Sequence, residues 1–291
     1  MLKSTRSRWG ALALLAALVG PGCASPETAP WHDVRLTEEF TRRKADEVRS
    51  FEEYLALEQR LFAELDAKVY AAAEPGPGQD VLRYSPGSAA DPRNWRPNWN
   101  RSFELRADDP VGGVLLLHGL SDSPYSLRTL GNAFNRQGYE VVGLRLPGNG
   151  VAPSGLKYTT WEDMPGAVRI AMEHLATRLG DRPIHVVGYS IGSALALDFA
   201  LDAVDGRARP VPASLVLISP AVGLHPVAAL AGWKRRLAAM PGLGGLAWLT
   251  IEPEFDPYKY NSFATRAGEQ AHRLTTSVAR RLESRARAGT L

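Results

Sequence analysis

Residues 184–192 carry the stretch IHVVGYSIG, in which a mostly apolar, partly β-branched run leads into the motif Gly-x-Ser-x-Gly. Small residues suited to a helix start follow at 193–197. A buried strand, this motif and a helix in direct succession are typical of a nucleophile elbow, a sharp turn that holds the serine hydroxyl clear of the backbone. The stretch therefore predicts a strand, a turn and a helix, and it predicts Ser190 as a catalytic nucleophile.

A steric argument explains why the motif has glycine at two positions. The elbow forces the serine into a strained backbone conformation, and a side chain at Gly188 or Gly192 would collide with the neighbouring strand or helix. The helix that follows directs its free N–H groups and the positive end of its dipole toward the serine, which favours an oxyanion nearby.

Apolar runs alternate with helical segments around this stretch, from residue 103 onward. Short runs suited to a sheet covered on both faces lie at 114–117, 141–146, 184–187 and 215–218. Helices are predicted to begin near Pro124, near Asp163 and after Ser190, with Ser123 and Asp163 as N-caps. Strands and helices in alternation predict the α/β class, with a parallel, doubly wound sheet.

The loop after the first of these runs carries His118, Gly119 and Leu120. In a serine hydrolase of this architecture, one oxyanion donor is the backbone N–H that follows the nucleophile, and the other comes from this earlier loop. That assigns the backbone N–H groups of Ile191 and Leu120 to the oxyanion. A histidine before the oxyanion glycine more often orients the loop than acts as a base, so we expect a structural role for His118.

Three motifs in this order and spacing resemble the α/β-hydrolase superfamily, close to its monoglyceride-lipase, carboxylesterase and serine-aminopeptidase-like branch. They are HG at 118–119, LPGNG at 146–150 and GYSIG at 188–192, and the resemblance covers residues 112–220. It implies that Ser190 is the nucleophile and that Leu120 and Ile191 are the oxyanion positions. Asn149 stands where that family often has a histidine.

The family order places the catalytic acid and then the histidine after later strands. Beyond residue 220 this chain offers a mostly helical stretch to residue 250, several acidic and tyrosine residues, and a polar helix near 267–288. We expect the chain to end before the strands that carry the acid and the base, as a truncated sequence or a degenerate homologue, and to hydrolyse esters weakly on its own. The alternative is an unusual triad in which Asp256 and His272 serve Ser190.

The N-terminus is typical of an export signal. Lys3, Arg6 and Arg8 precede an apolar run at 9–19 that is short for a membrane span, and the sole cysteine, Cys23, follows it. This position resembles the lipidated cysteine of bacterial lipoproteins, although Gly20 replaces their usual leucine. We expect a signal peptide at 1–23 and a lipid-anchored protein of the cell envelope, in the outer membrane or periplasm. There are two alternatives. One is ordinary cleavage after residue 24, which would give a secreted protein, and the other is an uncleaved anchor.

Residues 24–102 are predicted to form an N-terminal helix and an irregular connection. Apolar residues at heptad spacing favour one long helix over 36–70, which packs on its own domain or, alternatively, dimerises as a coiled coil. The connection at 71–100 is expected to be ordered, because Trp95 and Trp99 would otherwise expose large apolar surfaces. The α/β-hydrolase domain then occupies 103–291, with an apolar lid at about 221–265.

Composition narrows the function classes. The chain has 291 residues, of which 45% are hydrophobic and 22% charged, as in an ordinary globular protein. Its 34 basic and 31 acidic residues give a net charge of +3, too balanced to indicate a nucleic-acid partner. We expect neither a cofactor nor a metal, and the composition leaves the oligomeric state open.

The leading hypothesis is an exported serine esterase or lipase that forms an acyl-enzyme at Ser190 on a small-molecule or lipid ester. Acyl esters of modest length are favoured by the apolar lid. A second hypothesis is a catalytically inactive binding module of the cell envelope. A third is a serine peptidase or acyltransferase that uses the same serine.

Overall fold

The computed structural model describes residues 28–73, 80–222 and 244–290. Its strands are β1 (Phe103–Leu105), β2 (Gly112–Leu117), β3 (Tyr139–Leu144), β4 (Ile184–Tyr189), β5 (Ser214–Ile218), β6 (Trp248–Thr250) and β7 (Phe263–Ala264). The main sheet has the order β1-β3-β2-β4-β5, with β2 to β5 parallel and β1 antiparallel to β3. The four strands predicted from apolar runs are confirmed, and β1 is an additional edge strand.

The described residues form seven α-helices, two of them before β1. They are α1 (Pro30–Asp33), α2 (Phe51–Leu65), α3 (Arg128–Arg136), α4 (Gly155–Tyr158), α5 (Met164–Leu179), α6 (Ile191–Val204) and α7 (Thr265–Ala288). Short 3₁₀ turns lie at Arg42–Lys44, Pro92–Asn94, Pro124–Leu127, Trp161–Asp163 and Gly244–Ala247, and a π turn lies at Asp66–Tyr70. The three predicted helix starts and the long polar helix near the end are confirmed.

Helices cover both faces of the main sheet. All residues of β2 are buried, and they alternate between two clusters. Leu115 and Leu117 pack with residues of α2, α5, α6 and α7, whereas Val114 and Leu116 pack with residues of α3. This alternation is the reason for the unbroken apolar run, and it confirms the predicted doubly wound sheet.

Strand β5 departs from the predicted burial. Val216 is 45% exposed and Ile218 is 36% exposed, although both were expected to be covered on either side. The reason is position: β5 pairs with β4 on one side, and in the described part of the chain no strand pairs with its other side. An edge strand has fewer neighbours to cover its side chains.

Ser123 and Asp163 both stand at the predicted N-cap positions, before the turn Pro124–Leu127 and before α5, but neither side chain caps its helix. The Ser123 hydroxyl is buried without a hydrogen-bond partner, and it does not cap the turn at Pro124–Leu127. Asp163 ends the turn Trp161–Asp163, so its carboxylate faces backward and accepts hydrogen bonds from the backbone N–H and the hydroxyl of Thr160. Thr160 therefore opens this helical segment.

The single long helix predicted over 36–70 is also wrong. Helix α2 begins only at Phe51, because Ser50 and Glu53 form a capping box: the Ser50 hydroxyl accepts from the Glu53 N–H, and the Glu53 carboxylate accepts from the Ser50 N–H. Phe51 and Tyr54 belong to the main core cluster together with sheet residues. The helix therefore packs on its own domain, as the first of the two alternatives proposed.

The connection before β1 is ordered over the described residues 80–102. Tyr84 is buried and stacks on Trp31 with ring centroids 5.0 Å apart, and Trp99 meets Phe103 edge-on at 5.2 Å. Trp95 is 54% exposed, so the packing argument was wrong for that residue. One tryptophan and one tyrosine fix the connection against the domain.

Several predictions fall outside the described residues. The predicted signal peptide with Cys23 lies there, as do residues 223–243 of the expected lid. In the described part of that segment, Gly244–Ala247 is a 3₁₀ turn, whereas Trp248–Thr250 is β6, which pairs with β7, so the helical prediction is wrong for these last three residues. No helix among the described residues is both long enough and apolar enough to cross a bilayer.

Candidate catalytic site

Ser190 lies at the turn between β4 and α6, in a strained backbone conformation. Its φ of 54° and ψ of −114° are unusual for a residue with a side chain. The Ser190 N–H donates to the carbonyl of Ile218 at 2.9 Å, and its own carbonyl accepts from the N–H of Ser193 and of Ala221. The end of β5 therefore holds the turn in place, as the elbow geometry requires.

The motif glycines stand where a side chain cannot. A Cβ on Gly188 would lie 2.5 Å from the backbone of Gly192, and a Cβ on Gly192 would overlap the carbonyl oxygen of Leu117 at the end of β2. Helix α6 thus approaches the sheet closely because both positions lack side chains. The steric reason given from the sequence is confirmed at both glycines.

The loop after β2 lies beside the elbow, because β2 and β4 are neighbours in the sheet. A Cβ placed on Gly119 would lie 3.6 Å from the Cβ of Ser190. Leu120 and Ile191 line the same narrow cleft. The structure therefore brings both sequence-assigned oxyanion positions together with Ser190, while the donor role of their N–H groups stays a prediction.

His118 is buried and makes two hydrogen bonds inside this loop. The Leu146 N–H donates to its Nε2 at 3.0 Å, so the ring proton is on Nδ1, which donates to the Gly119 carbonyl at 2.7 Å. Burial lowers the pKa of His118 to about 4. A neutral imidazole fixes the loop after β2 to the loop after β3, in agreement with the expected structural role.

Replacing His118 by glutamine should remove a pH-dependent part of the stability. The folded pKa is about 4 against 6.5 for a free histidine, so the unfolded chain binds more protons between these values. Neutral His118 therefore makes its full contribution to the free energy of unfolding above pH 6.5. That contribution falls by roughly 3 kcal/mol as the pH is lowered toward 4. Urea unfolding at about pH 7 and about pH 4.5 measures this. If acidification lowered the free energy of unfolding equally in the wild type and in His118→Gln, His118 would not be a buried neutral imidazole.

An apolar cleft opens between the two oxyanion positions and helix α7. Its walls are mostly aliphatic and aromatic: Leu120, Leu156, Thr159, Trp161, Met164, Ile191, Ala267, Gln270, Ala271 and Leu274. The Gln270 side-chain oxygen accepts from the Trp161 N–H at 3.1 Å, which fixes α7 to the start of α5. The free volume of the cleft is about 10 Å³, enough for about one water molecule, so an acyl chain would enter only if these apolar walls moved apart.

The structure does not assemble the unusual triad of Asp256 and His272. The Asp256 carboxylate accepts from the N–H groups of Tyr258 and Lys259, within its own turn. His272 lies in α7, and its Nδ1 is buried without a hydrogen-bond partner. Among the described residues, no hydrogen bond or ion pair joins Asp256, His272 and Ser190 to one another.

Sequence reasoning missed the groups that hold the loop after β3. Arg145 is buried and pairs with Glu39 at 2.9 Å and with Glu58 at 3.0 Å. Glu39 also accepts from the Gly148 N–H at 2.9 Å, and Arg145 donates to the Asn149 carbonyl at 3.1 Å. The N-terminal segment thus supports the LPGNG loop, and no local sequence pattern indicates this.

Tyr260 makes a second link to the site. Its hydroxyl donates to the Gly148 carbonyl at 3.1 Å and accepts from the Val151 N–H at 2.8 Å. Its backbone N–H donates to the Ser121 carbonyl, also at 2.8 Å, and Ser121 has a φ of 62°. The segment before α7 therefore fixes the two loops that surround the nucleophile.

A group of possible metal ligands lies at the opposite edge of the sheet. Ligand atoms of Glu104, Glu140 and His174 lie within 4.8 Å of one another. Arg178 pairs with both carboxylates, and His174 Nε2 lies 2.8 Å from Glu104. Glu140 lies near the start of β3 whereas Ser190 follows the end of the parallel strand β4, so this group is remote from the nucleophile. Arg106 also pairs with Glu104 at 3.0 Å, so both carboxylates already have a guanidinium partner.

A family model described as serine aminopeptidase, S33, matches residues 108–285. That range is more than half of the chain. It contains the elbow, both oxyanion positions, the LPGNG loop and most of α7.

Curated relatives match a shorter part of the chain. A thermostable monoacylglycerol lipase of Bacillus sp. (strain H-257) is 33% identical over 123 residues, which cover 42% of this chain and 46% of that protein. The magnesium-chelatase 30 kDa subunit of Rhodobacter capsulatus is 34% identical over 138 residues, 46% of this chain and 44% of that protein. The chain therefore spans about half the length of the curated relatives it matches.

A solved structure from work on the metagenome-derived lipolytic enzymes LipS and LipT gives a TM-score of 0.51. The two chains are 23% identical, and the match covers 63% of this chain and 71% of the other. At that identity the likeness shows a shared fold.

Proposed function

Because the chain belongs to the serine aminopeptidase S33 family, within the α/β-hydrolase superfamily, we propose that it is a serine hydrolase that cleaves carboxylic esters or acylglycerol-like substrates through an acyl-enzyme at Ser190. Family membership confirms the superfamily and the branch predicted from the HG, LPGNG and GYSIG motifs.

One observation carries the proposal. Ser190 has a strained left-handed φ at a strand-to-helix turn, and Leu120 and Ile191, which flank it, line one apolar cleft. A strained serine on such a turn, with the predicted oxyanion positions beside it, is the arrangement that supports acyl transfer. A serine that only packed in the core would have no need of this conformation.

In the proposed reaction, the Ser190 oxygen attacks the ester carbonyl carbon while its proton passes to a general base. The carbonyl oxygen becomes an oxyanion that faces the N–H groups of Leu120 and Ile191. The intermediate collapses and expels the alcohol, which takes up the proton, and water then releases the acid from the enzyme. No histidine of the described residues forms a hydrogen bond with Ser190, so the proposal does not assign the base to any of them.

The apolar walls of the cleft favour ester substrates over peptide substrates. Its walls are apolar apart from Thr159 and Gln270, and the Gln270 oxygen already accepts a hydrogen bond from Trp161. A free amino terminus would need an unpaired carboxylate there, and none lines the cleft in the described residues. The monoacylglycerol lipase among the relatives supports the same substrate class.

A non-catalytic binding module is the second candidate. The relative named as a magnesium-chelatase subunit shares as much identity as the lipase does, and its name does not describe an esterase. A peptidase or acyltransferase that uses Ser190 is the third. The three candidate functions predict different reactions at Ser190, so one substrate panel distinguishes them.

The panel compares p-nitrophenyl acyl esters of increasing chain length and a monoacylglycerol with aminoacyl p-nitroanilides. It uses the protein as its own cells produce it, with Ser190→Ala as the matched control. We expect hydrolysis of short and medium acyl esters and none of the anilides. Turnover of the anilides, or ester hydrolysis equal to that of Ser190→Ala, would contradict the proposed function.

Export and lipid anchoring at Cys23 are proposed from the sequence alone. Anchoring at a membrane would place the cleft near lipid esters. Mass spectrometry of the mature N-terminus tests this, because the proposal requires an acylated Cys23. A mature chain that begins at Ser25 would contradict it.

A further inference from the structure

A second pocket lies between the end of α2, the connection before β1 and the LPGNG loop. It is one of the more enclosed pockets of the described residues and has room for roughly three water molecules. Among the residues that line it are Arg83, Arg93, Arg101, Asn98, Tyr70 and Gly150. Three guanidinium groups around so small a space are unusual, because like charges repel one another unless an anion is present.

Arg83 is the most deeply buried of the three, with 1% of the residue exposed. Its Nη2 donates to the Gly150 carbonyl at 2.8 Å, whereas Nε and Nη1 are buried without a hydrogen-bond partner. The guanidinium lies 5.5 Å from the ring of Tyr84 and 5.3 Å from that of Tyr260. Aromatic rings give a cation part of the stabilisation it needs, but they do not satisfy its N–H groups.

No carboxylate of the described residues forms an ion pair with Arg83 within 4.0 Å. Glu254 acts on it electrostatically, but the Glu254 carboxylate accepts hydrogen bonds from the N–H groups of Asn261 and Ser262. A buried charge without a partner is costly, because it has lost its hydration. Arg83 therefore presents two free donors at this pocket, and no carboxylate of the described residues contacts its charge directly.

Arg101 adds a second cation that has no ion-pair partner in the described residues. Its guanidinium lies 4.0 Å from the ring of Phe62, and burial lowers its pKa. Arg93 is neutralised, since it pairs with Asp91 at 2.7 Å and lies 3.7 Å from Asp66. Asp66 also lines the pocket, and Glu254 acts on Arg83 from a distance, so the positive character of the pocket rests on Arg83 and Arg101, neither of which has an ion-pair partner in the described residues.

We propose that this pocket binds a small oxoanion of the phosphate type, with Arg83 as the buried donor and Arg101 as the second charge. The size of the pocket suits a single oxoanion, and guanidinium groups match phosphate oxygens with paired N–H donors. The Asn98 side chain lines the same space, although its oxygen already accepts from the Asn100 N–H. The site is independent of the function proposed for Ser190.

The test is thermal unfolding and calorimetric titration of the full chain with inorganic phosphate, with ionic strength held constant by sodium chloride. Glycerol phosphate forms a second arm, which shows whether a phosphomonoester also enters. Phosphate stabilises many proteins without binding to a site, so variants decide the outcome. The variants are Arg83→Met and Arg101→Gln, and Arg60→Gln is the matched control, because Arg60 pairs with Glu38 on an exposed surface.

We expect the melting temperature of the wild type and of Arg60→Gln to rise and saturate with phosphate. In Arg101→Gln the apparent Kd should weaken at least about 10-fold, as expected for the loss of one charge-assisted contact. Arg83→Met should show no saturable rise. If Arg83→Met fails to fold, Arg101→Gln alone decides. An equal rise in Arg101→Gln and the wild type, or a rise that never saturates, would overturn the proposal.

Discussion

In the protein as its own cells produce it, replacing Ser190 by alanine is expected to lower kcat/KM for ester hydrolysis by at least about 10³-fold, since loss of the nucleophile leaves only the contribution of the oxyanion hole and of binding. A fluorophosphonate probe should add one adduct per wild-type chain and none to Ser190→Ala. Intact mass measures the adduct, and peptide mapping locates it.

Ser193→Ala is the matched control for this experiment. Ser193 lies one turn further along α6, and its hydroxyl donates to the Gly188 carbonyl at 2.7 Å, so it supports the turn without facing a substrate. This variant should retain labelling at Ser190. Labelling that persists in Ser190→Ala, or that moves to Ser193, would show that the elbow serine is not the nucleophile.

The elbow was predictable because its cause is local. An apolar run, two glycines and a serine within residues 184–192 determine the strand, the turn and the close approach of α6. The sheet followed from the same kind of local pattern, repeated four times along the chain. Burial of β5 was not predictable in this way, because the exposure of Val216 depends on the strand's place in the sheet.

The N-terminal helix shows a local signal that was overlooked. Heptad spacing continues across residues 36–70, but the sequence Ser50-Phe51-Glu52-Glu53 contains a capping box. Periodicity describes which side of a helix would be buried, whereas the cap decides where the helix begins. Attention to Ser50 and Glu53 would have placed the start of α2 correctly.

The support of the site could not be predicted, because it joins distant parts of the chain. Arg145 is 106 residues from Glu39 and 87 residues from Glu58 along the sequence. Each of the three residues alone is more often a solvated surface charge. Their burial follows from the position of the N-terminal segment over the LPGNG loop, which sequence patterns do not specify.

Arg145→Met should lower the free energy of unfolding by about 3–5 kcal/mol, because it leaves the carboxylates of Glu39 and Glu58 without their partner. Burial already raises the pKa of Glu58, and loss of the guanidinium would raise it further. A buried carboxyl group with a raised pKa lowers the free energy of unfolding as the pH rises above its unfolded pKa. The stability deficit of Arg145→Met should therefore be larger at about pH 7 than at about pH 4.

Urea unfolding of three variants tests this account. The matched control is Arg182→Met, since Arg182 pairs with Asp109 on an exposed surface, where a salt bridge contributes less than about 1 kcal/mol. The triple variant Arg145→Met with Glu39→Gln and Glu58→Gln should recover part of the loss, because no unpaired charge is left buried. A deficit in Arg145→Met no larger than that in Arg182→Met would mean that the N-terminal segment does not depend on this charge cluster to hold the loop beside the nucleophile.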